Sequence, residues 1–209
     1  MKKYFVTAIS TDSGKTLISA ILVNALQADY WKPVQSGVAT ADKDSDTVRS
    51  LVYSGNPIFH PESYCLQAPL SPHAAAALEG VTIDLNKIEL PDTEGHPLVI
   101  EGAGGILVPL NDKAFVLDLI KKLEVEVVLV SNHYLGSINH TLLTAEILKH
   151  HQIKVKGIIF NGDTNPASES IILEKTGYPC LLRVPKLVEV SPEIVYQYSV
   201  RLFDHWNDN

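Results

Sequence analysis

Arginine is scarce in this chain of 209 residues, where Arg49, Arg183 and Arg201 are all there is of it. With a formal net charge of -7, they leave no basic stripe to neutralise a nucleic-acid backbone or to dock on anionic lipid. Partners are therefore expected among small molecules or proteins, with no nucleic acid and no membrane. Cysteine is nearly absent too: Cys65 and Cys180 stand apart and form no CxxC pair, which excludes a disulfide framework. Nothing at the N-terminus reads as a signal sequence, so a reducing, cytoplasmic setting is expected. Apolar runs are short; Val125 to Val130, interrupted by Glu126, falls far below the ~20 residues of a spanning helix. The histidines (His60, His73, His96, His133, His140, His150, His151 and His205) show no HExxH or comparable ligand spacing. His73, after Ser71-Pro72, reads as a capping or packing residue.

With 45% hydrophobic residues, the chain can fill one core, and a protein of this length buries roughly 70% of its extended surface. The expectation is one domain over residues 1–209. β-rich runs alternate with helical patterns: Tyr4 to Ile9, then Thr16 to Leu26; Tyr30 to Val34, then Asp46 to Tyr53; Leu98 to Glu101, then Ala114 to Leu123. The rhythm continues with Val125 to Ser131, Ile138 to His150, Val155 to Asn161, Pro166 to Lys175, Cys180 to Val184 and Pro192 to Phe203. This predicts an α/β fold, a mostly parallel sheet with helices on both faces. The proline-containing stretch from Gly55 to Gly95 reads as an insertion. Tyr196, Tyr198 and Phe203 read as helical packing.

Parallel sheets bind ligands beyond the carboxyl ends of their strands, and polar or glycine-rich clusters stand there. The first, Ser10 to Lys15, belongs to the segment Val6 to Thr16, which follows a strand and opens a helix, as a phosphate-binding loop requires, with Asp12, Ser13, Gly14, Lys15, Thr16 and Leu17 as the nucleotide-binding candidates. Its amides could cradle phosphate, Lys15 could reach the β and γ phosphates, and the Thr16 hydroxyl could ligate Mg2+. The spacing is not the strict GxxxxGK[ST] form, since Ile9 and Ala8 stand where the leading glycine would be sought. A phosphate-bound Mg2+ takes one or two carboxylates besides that hydroxyl, and Asp46 and Glu101 are the candidates. The ordinary alternative for Asp46 is helix capping. Glu101 ends an apolar run and precedes Gly102-Ala103-Gly104-Gly105, where small residues let amides approach an anion. Lys32 ends the second strand; with Lys15 it could spread charge in a phosphoryl-transfer transition state, or it could simply extend to solvent.

Taken in order, these blocks resemble the dethiobiotin synthetase family over roughly Val6 to Leu187. The matching segments are Thr11 to Thr16, Lys32 to Gly37, Ser45-Asp46, Leu70 to His73, Glu101 to Gly105, Leu135 to His140 and Val184-Pro185. The resemblance implies a P-loop NTPase-like fold and an ATP-dependent ring closure on 7,8-diaminopelargonic acid with CO2. It implies that Thr16, Asp46 and Glu101 hold Mg2+, that Lys15 and Lys32 act on carbamate and phosphates, and that ATP is the co-substrate. Thr11, Ser36 and amides near Gly104 would orient the diamine. Asn161, Pro185-Lys186-Leu187 and Glu193 match adenine-binding segments. Gly136, Ser137 and Asn139 would receive the substrate carboxylate across a homodimer, where a helix start favours an anion. Ala8, Asp12, Tyr134 and Gly162 depart from the family pattern. Two other classes share the fold expectation. A partitioning ATPase would carry a signature lysine at Ser10, which is absent, and an amidotransferase-type synthetase would add a glutaminase segment.

Overall fold

The computed structural model describes residues 2–53 and 55–206. Its centre is β1 (Lys3–Ala8), whose alternating side chains feed two separate apolar layers. Phe5 packs to one side, while Tyr4, Val6 and Ala8 pack to the other. The period of two is the strand signature, and a strand apolar on both faces belongs in the middle of a covered parallel sheet. The same division occurs in β7 (Glu126–Asn132), where Val127 and Leu129 face one layer and Val128 and Val130 the other.

The remaining strands of the main sheet are β2 (Asp29–Trp31), β4 (Phe59–His60), β6 (Leu98–Gly105), β8 (Val155–Asn161) and β9 (Cys180–Val184). Their order is β4-β2-β6-β1-β7-β8-β9, and every pairing is parallel. A shorter parallel pair, β3 (Val34–Ser36) with β5 (Tyr64–Leu66), stands apart from it. One face of the main sheet is covered by α1 (Lys15–Leu26), α2 (Asp44–Leu51) and α7 (Pro192–Trp206). The other carries α3 (Pro72–Leu78), α4 (Val116–Leu123), α5 (Ser137–His150) and α6 (Pro166–Thr176). Helices on both faces of a parallel sheet are the architecture the alternating pattern predicts.

Local chemistry explains several boundaries. In α1 the residues from Ile18 to Ala25 are all buried, so this helix is apolar around most of its circumference. Before α6 the Asn165 side chain accepts from the Ser168 N–H, Pro166 occupies the first turn, and left-handed Gly177 closes the helix. The run Tyr30 to Val34 is not one strand: it splits around Lys32-Pro33, where proline supplies no ladder N–H, and its second half joins the small sheet. The stretch expected as an insertion supplies β4 to the edge of the main sheet and β5 to the small one. In α7 the buried stripe is Val195, Ser199, Leu202 and Trp206, whereas Phe203 is exposed and Tyr196 stacks on Tyr53 at 4.9 Å. No helix among the described residues is long and apolar enough to cross a membrane.

Candidate active site

Between β1 and α1 the chain turns through two left-handed residues, Asp12 at φ 57° and Gly14 at φ 91°. Glycine suits the second, where the left-handed φ disfavours a side chain, and a Cβ there would also displace the Asn161 side-chain amide. Asn161, at the end of β8, donates its side-chain amide to the Ser13 carbonyl at 2.9 Å. Asn132, at the end of β7, accepts from the fully buried Ser13 hydroxyl at 2.8 Å. The loop is thus fastened from below by the ends of two strands. Asn161, the residue expected beside adenine, also ties the loop; Asn132 carries no local signal that would single it out. Ala8 lies within β1 and is not among the positive-φ residues, so its methyl group imposes no left-handed backbone strain.

Lys15, the first residue of α1, is nearly buried, with Nζ 3.4 Å from the Ser10 carbonyl. Burial lowers its pKa and the charge of Lys32 lowers it further, while Glu101, Asp44 and Asp12 pull the other way. Lys32 follows β2 and is 5% exposed; its ammonium lies 2.5 Å from Asp44 Oδ2 and 3.1 Å from Glu101 Oε1. Burial alone would depress its pKa, but Glu101 and then Asp44 outweigh it, and the net direction is upward. Glu101, in β6 and 1% exposed, accepts from the Thr16 hydroxyl at 3.0 Å through Oε1. Its Oε2 accepts from the Tyr30 hydroxyl at 3.0 Å. Burial first, and then Glu101, push the Tyr30 pKa well up, so this phenol stays a donor. Thr16 Oγ1 also stands 3.2 Å from Asp44 Oδ1. One hydroxyl hydrogen cannot satisfy both carboxylates at once.

Asp46, the acid expected at the metal, stands at the surface in the first turn of α2. It is exposed, makes none of these contacts and does not line the cavity; Asp44 does. The helix begins at Asp44, two residues before the expected start. At about 100° per residue, Asp44 and Asp46 point roughly 200° apart, so only one can face Lys32. The acid that meets Lys32 and Thr16 beside Glu101 in this structure is Asp44.

These groups open onto a cavity of about 870 Å³, also lined by Thr11, Gln35, Ser36, Ala103 and Gly104. The Ser36 hydroxyl is buried without a hydrogen-bond partner. Ser13 and Gly102 lie beneath the cavity wall: a Cβ on Gly102 would strike Phe5 at 2.6 Å. Leu17 packs against the α1 core layer. Pro185 and Lys186 are exposed after β9, Leu187 rests on that same core layer, and none of the three lines the cavity. Gly136 and Asn139 line a separate depression of about 820 Å³ with His133, Tyr134 and Asp163, and Ser137 opens α5 beside them.

A phosphate-type loop at the carboxyl end of a covered parallel sheet defines a P-loop NTPase. Pyrococcus furiosus cell division ATPase MinD has this fold, with a TM-score of 0.61 at 16% identity over 100% of this chain and 99% of that one. A family model described as an AAA domain matches residues 2–194. The sequence is 62% identical over 206 residues to ATP-dependent dethiobiotin synthetase BioD of Cytophaga hutchinsonii, covering 99% of both chains. It is 50% identical over 198 residues to the same enzyme of Christiangramia forsetii, covering 95% of this chain and 94% of that one. The chain belongs to the dethiobiotin synthetase family.

Proposed function

We propose that the protein is an ATP-dependent cyclo-ligase that forms dethiobiotin from 7,8-diaminopelargonic acid and CO2. The observation that carries this reading is the convergence of Lys15, Lys32, Thr16, Asp44 and Glu101 on one cavity in a chain of this family. One amine of the substrate adds to CO2 and loses a proton to give a carbamate. The carbamate oxygen attacks the γ-phosphorus of ATP and expels ADP, and the second amine attacks the carbamate carbon of the resulting mixed anhydride, loses a proton and expels phosphate to close the ring. The protein's part is positioning and electrostatics: the loop amides and Lys15 hold phosphate, and Lys32 faces the charge that develops between carbamate and phosphate. Thr11, Ser36 and the Gly104 amide bind the diamine or its carbamate, and the unpartnered Ser36 hydroxyl supports that role.

The donor set fits Mg2+. Thr16, Asp44 and Glu101 offer only oxygen atoms, and two carboxylates fall short of an all-protein cage, leaving positions for water and phosphate oxygens. The ion would neutralise phosphate charge when bound. Asn161 and Pro185 to Leu187 would receive the adenine.

The reading extends to a homodimer. Gly136 to Asn139 do not reach the cavity of their own chain, and Leu135 beside them is fully exposed, which supports donation of this helix start to a neighbouring subunit. The two free cysteines agree with a cytoplasmic enzyme. Incubation with Mg-ATP, bicarbonate and 7,8-diaminopelargonic acid, followed by mass spectrometry, should reveal the cyclised urea; its absence would refute the activity. Sedimentation run beside the assay tests the dimer, which a fully active monomer would refute.

A further inference from the structure

We infer that Gln35 is a positioning residue that holds Asp44 within reach of Lys32 and Thr16. This rests on the reading of Asp44 given above and deepens it. The first N–H groups of a helix have no partner within the helix, and Lys43, which precedes α2, makes no side-chain cap. The Asp44 N–H is instead taken by Gln35 Oε1 at 3.2 Å. The other end of the same amide donates to the Ser36 carbonyl at 2.7 Å, so both ends of Gln35 are engaged. The residue is 6% exposed and lies in β3, in register with Cys65 of β5.

Helix geometry gives this bond its consequence. A slip of α2 by one residue in register would swing the Asp44 carboxylate by about 100° and lose Lys32. A grip on the backbone N–H of Asp44 fixes the start of the helix at the residue whose orientation matters. A second grip comes from Glu62, just before β5, whose Oε1 accepts from the Ser45 hydroxyl at 2.8 Å. Both grips come from the β3–β5 pair and its approach, which assigns that small sheet the task of aiming one acid.

The test is a double-mutant cycle of Gln35→Met, which keeps length but loses the acceptor, with Asp44→Asn. Two quantities are read: the Mg2+ half-saturation of turnover, and calorimetric binding of a non-hydrolysable ATP analogue with Mg2+ and no diamine. In the Asp44 background, Gln35→Met should raise the half-saturation and weaken the Mg2+-analogue complex by about fivefold, the worth of one hydrogen bond. In the Asp44→Asn background the same change should cost less than roughly twofold, because groups that act through one another are not additive. Equal losses in both backgrounds would overturn the inference. A wild-type Mg2+ response from Asp44→Asn alone would instead overturn the reading of Asp44, and the inference with it. Thermal melts check folding, and Gln35→Ala replaces Gln35→Met in the cycle if the latter does not fold.

Discussion

Replacing Lys32 with Gln removes the ammonium that Asp44 and Glu101 share at 2.5 and 3.1 Å. At an effective dielectric constant of about 20, the attraction between Lys32 and Glu101 is roughly 5 kcal/mol before desolvation is counted. Forming the pair recovers little of that, since all partners had to leave water. Deleting one partner is a different matter: Glu101, 1% exposed, stays beside Asp44 without its cation. Breaking a buried pair costs about 3–5 kcal/mol, and because Asp44 opens to the cavity the lower end, about 3 kcal/mol, is the working figure for the empty protein. The upward pKa of Lys32 sets the pH dependence. A raised pKa in the fold contributes stability that is fully present below the unfolded value of 10.5 and is lost as pH rises through the folded value. The gap in Tm between wild type and variant should therefore be flat from about pH 6 to 9 and close only under strongly alkaline conditions. Turnover with saturating diamine, bicarbonate and Mg-ATP should fall on the order of 10²- to 10³-fold, with ATP binding much less affected. A near-normal kcat would refute the catalytic role, and an unchanged Tm would refute the electrostatic reasoning.

The alternating β and helical runs carry the architecture, because strand period and helix period are local properties of the chain. Strand order is not local. The adjacency of β2 and β6 brings Tyr30 and Lys32 to Glu101, and nothing between residues 30 and 101 announces it. The phosphate loop is legible for a similar reason to the strands: Gly14, Lys15 and Thr16 are contiguous, and their chemistry needs only a strand before and a helix after. Asn132 and Asn161, which fasten that loop, are placed by the pairing of β7 with β8 and of β1 with β7. The contact of Asp44 with Lys32 and Thr16 is not legible in the sequence for a different reason. The segment Asp42-Lys43-Asp44-Ser45-Asp46 offers three acids near one helix start, and choosing among them requires knowing the first helical residue. That residue is fixed by Gln35 and Glu62, which come from elsewhere in the chain.

Glu101→Gln keeps the shape of the side chain but removes the charge facing Thr16 and Lys32. Metal-dependent turnover should collapse while circular dichroism stays native, and unchanged Mg2+ dependence would exclude Glu101 from the metal site. Glu62 tests acid stability. Burial pushes its pKa up, but the Ser45 hydroxyl, its own backbone and Lys43 outweigh this, so the net direction is downward. A lowered carboxyl pKa contributes stability present above the unfolded value of 4.5 and lost as pH falls through the folded value. The stability difference between wild type and Glu62→Gln should accordingly be constant near neutrality and vanish in acid; a difference that grows in acid would contradict the assignment. The last comparison, Asp44→Asn against Asp46→Asn, separates the two acids directly. Asp44→Asn takes from Lys32 its shorter contact and from Thr16 one of two carboxylates, so the Mg2+ requirement of turnover should rise at least on the order of tenfold. Asp46 is exposed in the first turn of α2, where an acid contributes only its interaction with the helix dipole, about 0.3–1 kcal/mol. Asp46→Asn should lower Tm slightly and leave the Mg2+ response unchanged. If instead Asp46→Asn raises the Mg2+ requirement and Asp44→Asn does not, the helix start seen here is not the one that operates in the working enzyme.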